Sequence, residues 1–320
     1  MTATHTSIAR RRLLRAGAAG LAAFGILKSG QAQARVLRVG DMNSIAIRPV
    51  LEAAGLLKDL PYEVQWSKYP AGAPELEALN AGAIDFGQVG DIAVLFAYAS
   101  QVPVRVVHTI RFKANQMVLL VGKNSSARSI TDLKGRKIAV NRGGGGHLLT
   151  LALLERAGLK ADDVKLHFLG PADAKPAFAN GAVDAWAVWP PYSTLAIEQD
   201  GARQIANLND TPGVYTADEF HIVHRDALVH KRPLVEDFNR RLVQARQWSL
   251  NHVDETAALI ARDTKLPVAL ARQVRADIAP TPYPVSDQSI SGLQAAADLL
   301  ARHGVIAPLK VDGLFDRSVL

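Results

Sequence analysis

The 320-residue chain contains no cysteine, and this absence excludes several kinds of chemistry. Disulfide bonds, a thiol nucleophile, a zinc–thiolate site and a lipid-modified N-terminal cysteine all require that residue. A chain without thiols suits an oxidising compartment, where free thiols would be oxidised. Long apolar runs are also missing. After residue 35 no segment approaches the roughly 20 apolar residues that a helix needs to span a bilayer.

Acidic residues are absent from the first 34 positions, which have the composition of an export signal. A basic stretch, Arg10 to Arg15, precedes the apolar run Ala16 to Leu27, and an A-x-A cleavage site follows at Ala32 to Ala34. The arginine order resembles the twin-arginine export signal, and the general export route is the alternative. We therefore predict a cleaved signal peptide over residues 1–34 and a location in the periplasm.

The net charge of the chain is concentrated in this predicted signal. The formal charge is +7, but five positive charges lie before residue 35, so the rest of the chain carries about +2. Such a balance does not indicate binding to nucleic acid. The roughly 286 remaining residues exceed the usual size of one domain, which predicts two lobes.

Two short motifs occur twice in the same order. The segment at 51–56 resembles the one at 154–159, and the segment at 82–85 resembles the one at 181–184. Each copy lies in a predicted β-α-β-α-β unit, whose helices end at glycines that can adopt the left-handed conformation. The predicted strands are Leu37–Val39, Tyr62–Trp66 and Ile84–Val89 in the first half, and Ile138–Val140, Val164–Leu169 and Val183–Val188 in the second.

This pattern predicts an α/β protein with two lobes, each a mostly parallel sheet covered by helices. Ligands of such sheets lie at the carboxyl ends of the strands, so two facing lobes would share one cleft. The chain from His221 onward has a strand-like start, Phe220–Val223, and continues as helices, which we expect to complete the first lobe. The predicted crossings lie near 120–124 and 218–223. The first lobe is then residues 35–120 with 222–320, and the second is 121–221.

Four consecutive glycines, Gly143–Gly146, stand between a predicted strand and a predicted helix. The N-terminus of a helix has unpaired N–H groups and the positive end of the dipole, and glycine allows an anion to approach closely. The segment predicts a site for a sulfonate, sulfate, phosphate or carboxylate. The alternative is a plain loop that needs glycine for its turn. His147 and Leu148 follow, so neither the P-loop nor the dinucleotide pattern is present.

Several segments together resemble the aliphatic-sulfonate and taurine-binding proteins of ABC importers, with the alkanesulfonate branch the most similar. The resemblance implies a type II periplasmic binding protein fold, no cofactor or metal ion, a permease in the inner membrane as partner, and a monomer. The segments that carry it are Tyr69–Gly72, Leu79–Gly87, Gly90–Asp91, Lys134–Asn141 with His147, Pro171–Ala174, Gly181–Trp189 and Pro191–Tyr192.

Carried over by position, the resemblance also implies a set of ligand contacts at the cleft. Glu219 falls where taurine binders place an acidic partner for the amine, and its alternative reading is a solvated loop carboxylate. The other contacts are Met42, Asn43, Gly72, Ala73, Gly90, Asp91, Asn115, Gln116, Arg142, Gly143, Gly144, Gly145, His147 and Trp189.

Three departures from the family pattern bear on the identity of the ligand. Asp41–Asn43 stands where alkanesulfonate binders typically carry Tyr-Gln, and Met117 replaces a common acidic residue. The four glycines at 143–146 replace bulkier side chains, which predicts a wider cleft.

The sequence therefore predicts a binding protein that captures a sulfonate by closure of two lobes. The ligand alternatives are taurine, an aryl sulfonate, a sulfate ester, nitrate or a pyrimidine. An enzyme on the same fold is the rival class, as in thiamin-pyrimidine synthases. Those enzymes look like they need a cysteine-rich iron site, and this chain has no cysteine. His221 and His224 would lie on opposite faces of a strand, so they do not suit a metal site. Asp85 and Asp184 occupy equivalent positions and are expected to be structural.

Overall fold

The chain forms two β-sheets, and the computed structural model describes residues 35–42, 46–214 and 217–319. The predicted signal peptide lies outside these residues. Each sheet combines three parallel strands with antiparallel neighbours, and helices cover both faces, as in a type II periplasmic binding protein. Among the described residues no helix is both long and apolar enough to cross a membrane.

The first lobe begins with the predicted alternation of strands and helices. The strand order in its sheet is β2-β1-β3-β10-β4-β11. Its N-terminal elements are β1 (Val36–Met42), α1 (Arg48–Ala53), β2 (Glu63–Tyr69), α2 (Gly72–Asn80), β3 (Phe86–Gly90), α3 (Asp91–Ala99) and β4 (Val104–Arg111). Its C-terminal elements are β10 (Asp218–His224), α7 (Arg225–His230), α8 (Arg232–Asn251), α9 (Val253–Thr264), α10 (Val268–Ile278), β11 (Thr281–Tyr283) and α11 (Asp287–Arg302).

The second lobe repeats this design in one continuous segment. The strand order in its sheet is β7-β6-β8-β5-β9. Its elements are β5 (Val118–Val121), β6 (Lys137–Val140), α4 (Gly145–Arg156), β7 (Lys165–Phe168), α5 (Pro171–Ala179), β8 (Ala185–Val188), α6 (Tyr192–Asp200) and β9 (Arg203–Asn207).

The predicted β-α-β-α-β units are present in both lobes, and their glycines close the helices. Gly55 and Gly158 follow the first helix of each unit, and Gly82 and Gly181 follow the second. All four adopt φ values between +66° and +71°, which is the left-handed region. The internal repeat therefore corresponds to a repeated structural unit.

The two crossings between the lobes lie earlier than the sequence predicted. Val118–Val121 pairs with β8 and β9, so the chain has already entered the second sheet at residue 118. Asp218–His224 lies inside the first sheet between β3 and β4. The crossings are therefore 112–117 and 208–217, and the predicted boundaries at 120–124 and 218–223 are wrong. A short, fully apolar strand carries no signal of the sheet to which it belongs.

Asp85 and Asp184 hold the amino ends of equivalent strands. The Asp85 carboxylate accepts the backbone N–H of Arg38 at 2.9 Å and also pairs with the side chains of Arg38 and Lys231, the latter at 2.7 Å. Burial would raise the pKa of Asp85, but the hydrogen bonds from Arg38 and Lys231 outweigh burial and lower it. Asp184 accepts the N–H of Lys137 at 2.8 Å. Both carboxylates are structural and lie away from the carboxyl ends of the strands.

Helix α4 of the second lobe packs into the core of the first. Its Leu151 is 1% exposed and shares one apolar cluster with Leu95 of α3 and Leu299 of α11. At the outer end of this contact, Arg302 donates to Glu155 with an Nη2–Oε1 distance of 2.9 Å. We call this contact between α4, α3 and α11 the interlobe seam.

Candidate functional site

Three helices begin directly after strands or loops at the carboxyl edges of the two sheets. In the first lobe these are α2, with Gly72 and Ala73 in its first turn, and α3, with Gly90 at its N-cap. In the second lobe α4 follows the glycine-rich loop after β6. None of the three has a side-chain cap. The structure thus places the predicted contacts at these positions on helix N-termini that bound the cleft.

The first turn of α4 differs from those of α2 and α3 in its charge. Glu75 lies in the first turn of α2, and Asp91 begins α3, so both of those helix dipoles already face a carboxyl group. The first turn of α4 holds no acidic residue, and its N-cap is Gly144. Of these three helix starts, α4 is therefore the one whose dipole faces no acidic residue in its own first turn.

The glycines of this loop serve backbone conformation and close packing. Gly143 has a φ of +66°, and a Cβ atom there would lie 3.3 Å from the ring of Phe96 in α3. A Cβ on Gly144 would lie 2.9 Å from the amide of Asn141. Bulkier side chains at these two positions would therefore require Phe96 or Asn141 to move, and the wider cleft stays a prediction.

Gly146 is fixed by the packing of α4 on the sheet. A Cβ atom on Gly146 would lie 2.9 Å from the carbonyl carbon of Ala187 in β8 and closer still to its oxygen. This glycine lets the start of α4 approach the central strands, which brings its N–H groups to the carboxyl edge of the sheet.

Arg142 and His147 both contact the ring of Phe168, at the end of β7. The Arg142 guanidinium carbon is 3.6 Å from the ring centroid, and the imidazole of His147 meets the ring edge-on at 5.3 Å. His147 is 3% exposed, and its Nδ1 has no partner among the described residues. Burial, with the nearby charge of Arg142, lowers the pKa of His147 to about 4, so the imidazole is neutral at pH 7.

The first loop of the predicted site is held by Asp41. Its Oδ1 accepts the N–H of Ile47 at 2.7 Å, which ties the end of β1 to the start of α1. Met42, 7% exposed, ends β1 on the opposite face. Asn43, the other predicted contact in this loop, lies outside the described residues.

Asp91 is directed toward backbone groups of its own lobe. Its carboxylate accepts the N–H of Ile92 at 2.8 Å and that of Asp218 at 3.2 Å, and it is 5% exposed. Burial and the neighbouring carboxylate of Asp218 raise its pKa well above the usual range. Asp91 thereby joins α3 to the strand that follows the second crossing.

Glu219 lies in strand β10, so its interpretation as a solvated loop carboxylate is wrong. It is partly buried between β3 and β4 and accepts the side-chain amide of Gln88 at 2.7 Å. The same amide accepts from Nη2 of Arg246 at 2.9 Å. Burial raises the pKa of Glu219 to about 7, against the opposing effects of Gln88 and Arg246.

Sequence reasoning missed most of the polar groups of this lobe. Glu75 is fully buried and accepts the N–H of Gln88 at 3.1 Å. Burial raises the pKa of Glu75 to about 8. A Cβ atom on Gly40 or Gly87 would collide with its carboxyl group, so these strand glycines make room for it. Paired glycines in neighbouring strands were the available sequence signal.

The remaining predicted contacts lie nearer the crossings. Asn115 and Gln116 form a short 3₁₀ turn in the first crossing and line a cavity of about 210 Å³ together with Ser193 and Thr194 of α6. Trp189 is partly buried and packs against the cores on both faces of the second sheet.

The two histidines near the second crossing have separate partners. His221 is fully buried, stacks on His108 and lies 2.7 Å from the Asn239 side chain. His224 accepts the N–H of Asp226 at the start of α7. Neither side chain faces the start of α4 in the manner of a ligand contact.

Several known proteins of similar sequence and structure are named as binding proteins. The chain matches the NMT1/THI5-like family over residues 54–256. The alkanesulfonate-binding protein SsuA from Xanthomonas axonopodis pv. citri, solved with MOPS bound, is 30% identical, with a TM-score of 0.81 over 89% of this chain and 99% of that chain. The periplasmic aliphatic sulphonate binding protein SsuA from Escherichia coli is 30% identical, with a TM-score of 0.80 over 89% and 94%.

A third relative is the taurine-binding periplasmic protein of Escherichia coli strain K12. It is 29% identical over 68% of this chain and 67% of its own length. These matches confirm the resemblance to aliphatic-sulfonate and taurine-binding proteins and the type II periplasmic binding protein fold. The chain belongs to the NMT1/THI5-like family.

Proposed function

We propose that this chain is the periplasmic solute-binding protein of an ABC importer and that it captures an organic sulfonate between its lobes. The observation that carries the proposal is the start of α4, where a helix N-terminus without a side-chain cap, a first turn without acidic residues and a glycine-rich approach coincide. The similarity to sulfonate-binding proteins supports the same ligand class.

A sulfonate suits this site because it stays anionic at all biological pH values. The site then needs no proton donor, and neutral N–H groups can bind the ligand without burying a full counter-charge. His147, neutral at pH 7, adds a polar group beside the helix start. Arg142 lies two residues before the N-cap and adds positive charge at the rim.

Capture would follow from closure of the lobes. Gly143 of the second lobe approaches Phe96 of the first, so a ligand at the start of α4 lies beside both lobes. Such a ligand stabilises the closed state by its higher affinity for that state. An inner-membrane permease can then distinguish the loaded monomer from the empty one. We propose that the protein has no catalytic role, and the names of its similar relatives as sulfonate-binding proteins support this.

The test is a binding panel on the mature chain, which we propose begins after Ala34. Thermal shift and calorimetry would compare ethanesulfonate, taurine, benzenesulfonate, a sulfate ester, nitrate and a pyrimidine. A ligand at 100 times its Kd stabilises the fold by about 2.7 kcal/mol. We expect a shift with at least one sulfonate. Shifts with nitrate or the pyrimidine alone would refute the sulfonate assignment, and turnover of a ligand would refute the absence of catalysis.

A matched pair of variants tests the location of the site. Gly144→Asp places a carboxylate at the N-cap of α4, where it accepts N–H groups and repels an anion. Gly144→Asn provides a similar cap without the charge. We expect both variants to fold, with Asn141 turning aside, and the Asp variant to bind the sulfonate at least tenfold more weakly than the Asn variant. Equal affinities would place the anion elsewhere.

A further inference from the structure

An aromatic side chain lies exposed beside the proposed anion site. Phe168 is 38% exposed at the end of the edge strand β7. Five large apolar side chains are exposed among the described residues, and Phe168 is the aromatic one. The ring contacts Arg142, just before α4, and His147, in the first turn of α4, so it is adjacent to the place where an anion would bind.

The guanidinium group of Arg142 lies over one face of the Phe168 ring. Arg142 is exposed, and its Cζ lies 3.6 Å from the Phe168 centroid, a stacked cation–π distance. No carboxylate pairs with Arg142 in the parts of the chain that the structure describes. The guanidinium therefore lies over the ring with no carboxylate against it, and its side chain is exposed to solvent.

The same ring of Phe168 is also contacted by His147, in the first turn of α4. The imidazole meets the ring edge-on, with an interplanar angle of 84°. It is 3% exposed and its buried Nδ1 has no hydrogen-bond partner among the described residues. His147, Phe168 and Arg142 thus form a column that leads from the start of α4 to the surface. We call this column the stacking ledge.

We infer that the stacking ledge determines specificity for the organic part of the ligand and favours an aryl sulfonate over a saturated one. The sulfonate would bind at the start of α4, and the aromatic ring would stack on the outer face of Arg142, which Phe168 holds flat. Planar guanidinium groups stack on aromatic faces, whereas a saturated ring offers no π face. This inference rests on the proposed function of the same site.

The experiment uses calorimetry to measure the Kd of the mature chain for benzenesulfonate and for cyclohexanesulfonate. The two ligands have similar size and the same charge. We expect the native chain to bind benzenesulfonate about five- to tenfold more tightly. Phe168→Leu keeps an apolar side chain but removes the aromatic support, and Arg142→Lys keeps the charge but removes the planar group. Both variants should reduce the ratio of the two Kd values to about one.

Val229→Ala is the control, because Val229 is 70% exposed on α7 and takes no part in the ledge. It should keep the native ratio. A native ratio near one, or a ratio unchanged in Phe168→Leu, would overturn the inference while leaving sulfonate binding intact. Failure of both ligands and of short alkanesulfonates to bind would instead refute the proposed function, and the ledge with it.

Discussion

Replacement of Gly146 by alanine tests whether this glycine fixes the position of α4. A Cβ atom there would lie 2.9 Å from the carbonyl carbon of Ala187 and 3.2 Å from its Cβ. The atoms of Ala187 are buried in the central strand β8 and cannot yield. Helix α4 would therefore move away by about 1 Å, although protein interiors tolerate little such movement.

The expected cost follows from the packing on both sides of α4. Overpacking typically destabilises by about 1–3 kcal/mol, and α4 also carries Leu148 and Leu151 in the interlobe seam. We expect Gly146→Ala to destabilise by about 3 kcal/mol, which lowers the melting temperature by roughly 5 °C in a chain of this size. Helix propensity alone would stabilise the variant by about 1 kcal/mol, so the sign of the change separates the two effects.

The assay is thermal unfolding followed by circular dichroism, with sulfonate affinity as a second readout. Gly122→Ala is the matched control, because a Cβ atom on Gly122 would meet nothing within 4 Å. It should remain within about 0.5 kcal/mol of the native chain. If Gly146→Ala melts at or above the temperature of the control, the packing argument is refuted.

Three further predictions concern charged groups. Burial raises the pKa of Glu75 to about 8. As the pH rises from 5 to 9, the native chain should therefore lose on the order of 3 kcal/mol of stability relative to Glu75→Gln, measured by urea unfolding. Parallel pH profiles of the two proteins would contradict this. Asp85→Asn leaves the buried ammonium group of Lys231 without its carboxylate and should lower the free energy of unfolding by about 3 kcal/mol at pH 7. This difference should shrink in acid, because the pKa of Asp85 is lowered in the fold. Asp184→Asn, in the partly exposed equivalent site, should cost less than about 1 kcal/mol. Glu155→Lys replaces the partner of Arg302 across the interlobe seam. It should weaken ligand binding about threefold and increase the radius of gyration of the empty protein in X-ray scattering. An unchanged radius and an unchanged affinity would show that this ion pair does not act on closure.

The repeated units were predictable because local signals mark their ends. Gly55 and Gly158 close helices, and the apolar strands around them alternate with helical segments at matching positions. The pairing of strands was not predictable from such signals. Val118–Val121 is uniformly apolar and buried, so its sequence fits either sheet, and its membership depends on contacts with β8 and β9 that are distant in the chain.

The part of the candidate site at a helix start could be predicted from the sequence. The residues that meet only through tertiary contacts could not. The loop before α4 was identified from its glycines alone. Gln88 and Arg246 lie 158 residues apart and meet only because α8 packs on the first sheet. Phe168 reads as an ordinary strand residue, and its exposure follows from the edge position of β7. No local pattern carries this information.

The position of β10 has a consequence for the order in which the chain can acquire its structure. The second sheet takes all its strands from residues 118–207, whereas the first sheet needs Asp218–His224 between β3 and β4. A chain emerging from the ribosome with its N-terminus first can therefore complete the second lobe while the first still lacks an interior strand. The lobe that begins the sequence is the later one to close, because its strands must wait for a partner more than 100 residues downstream.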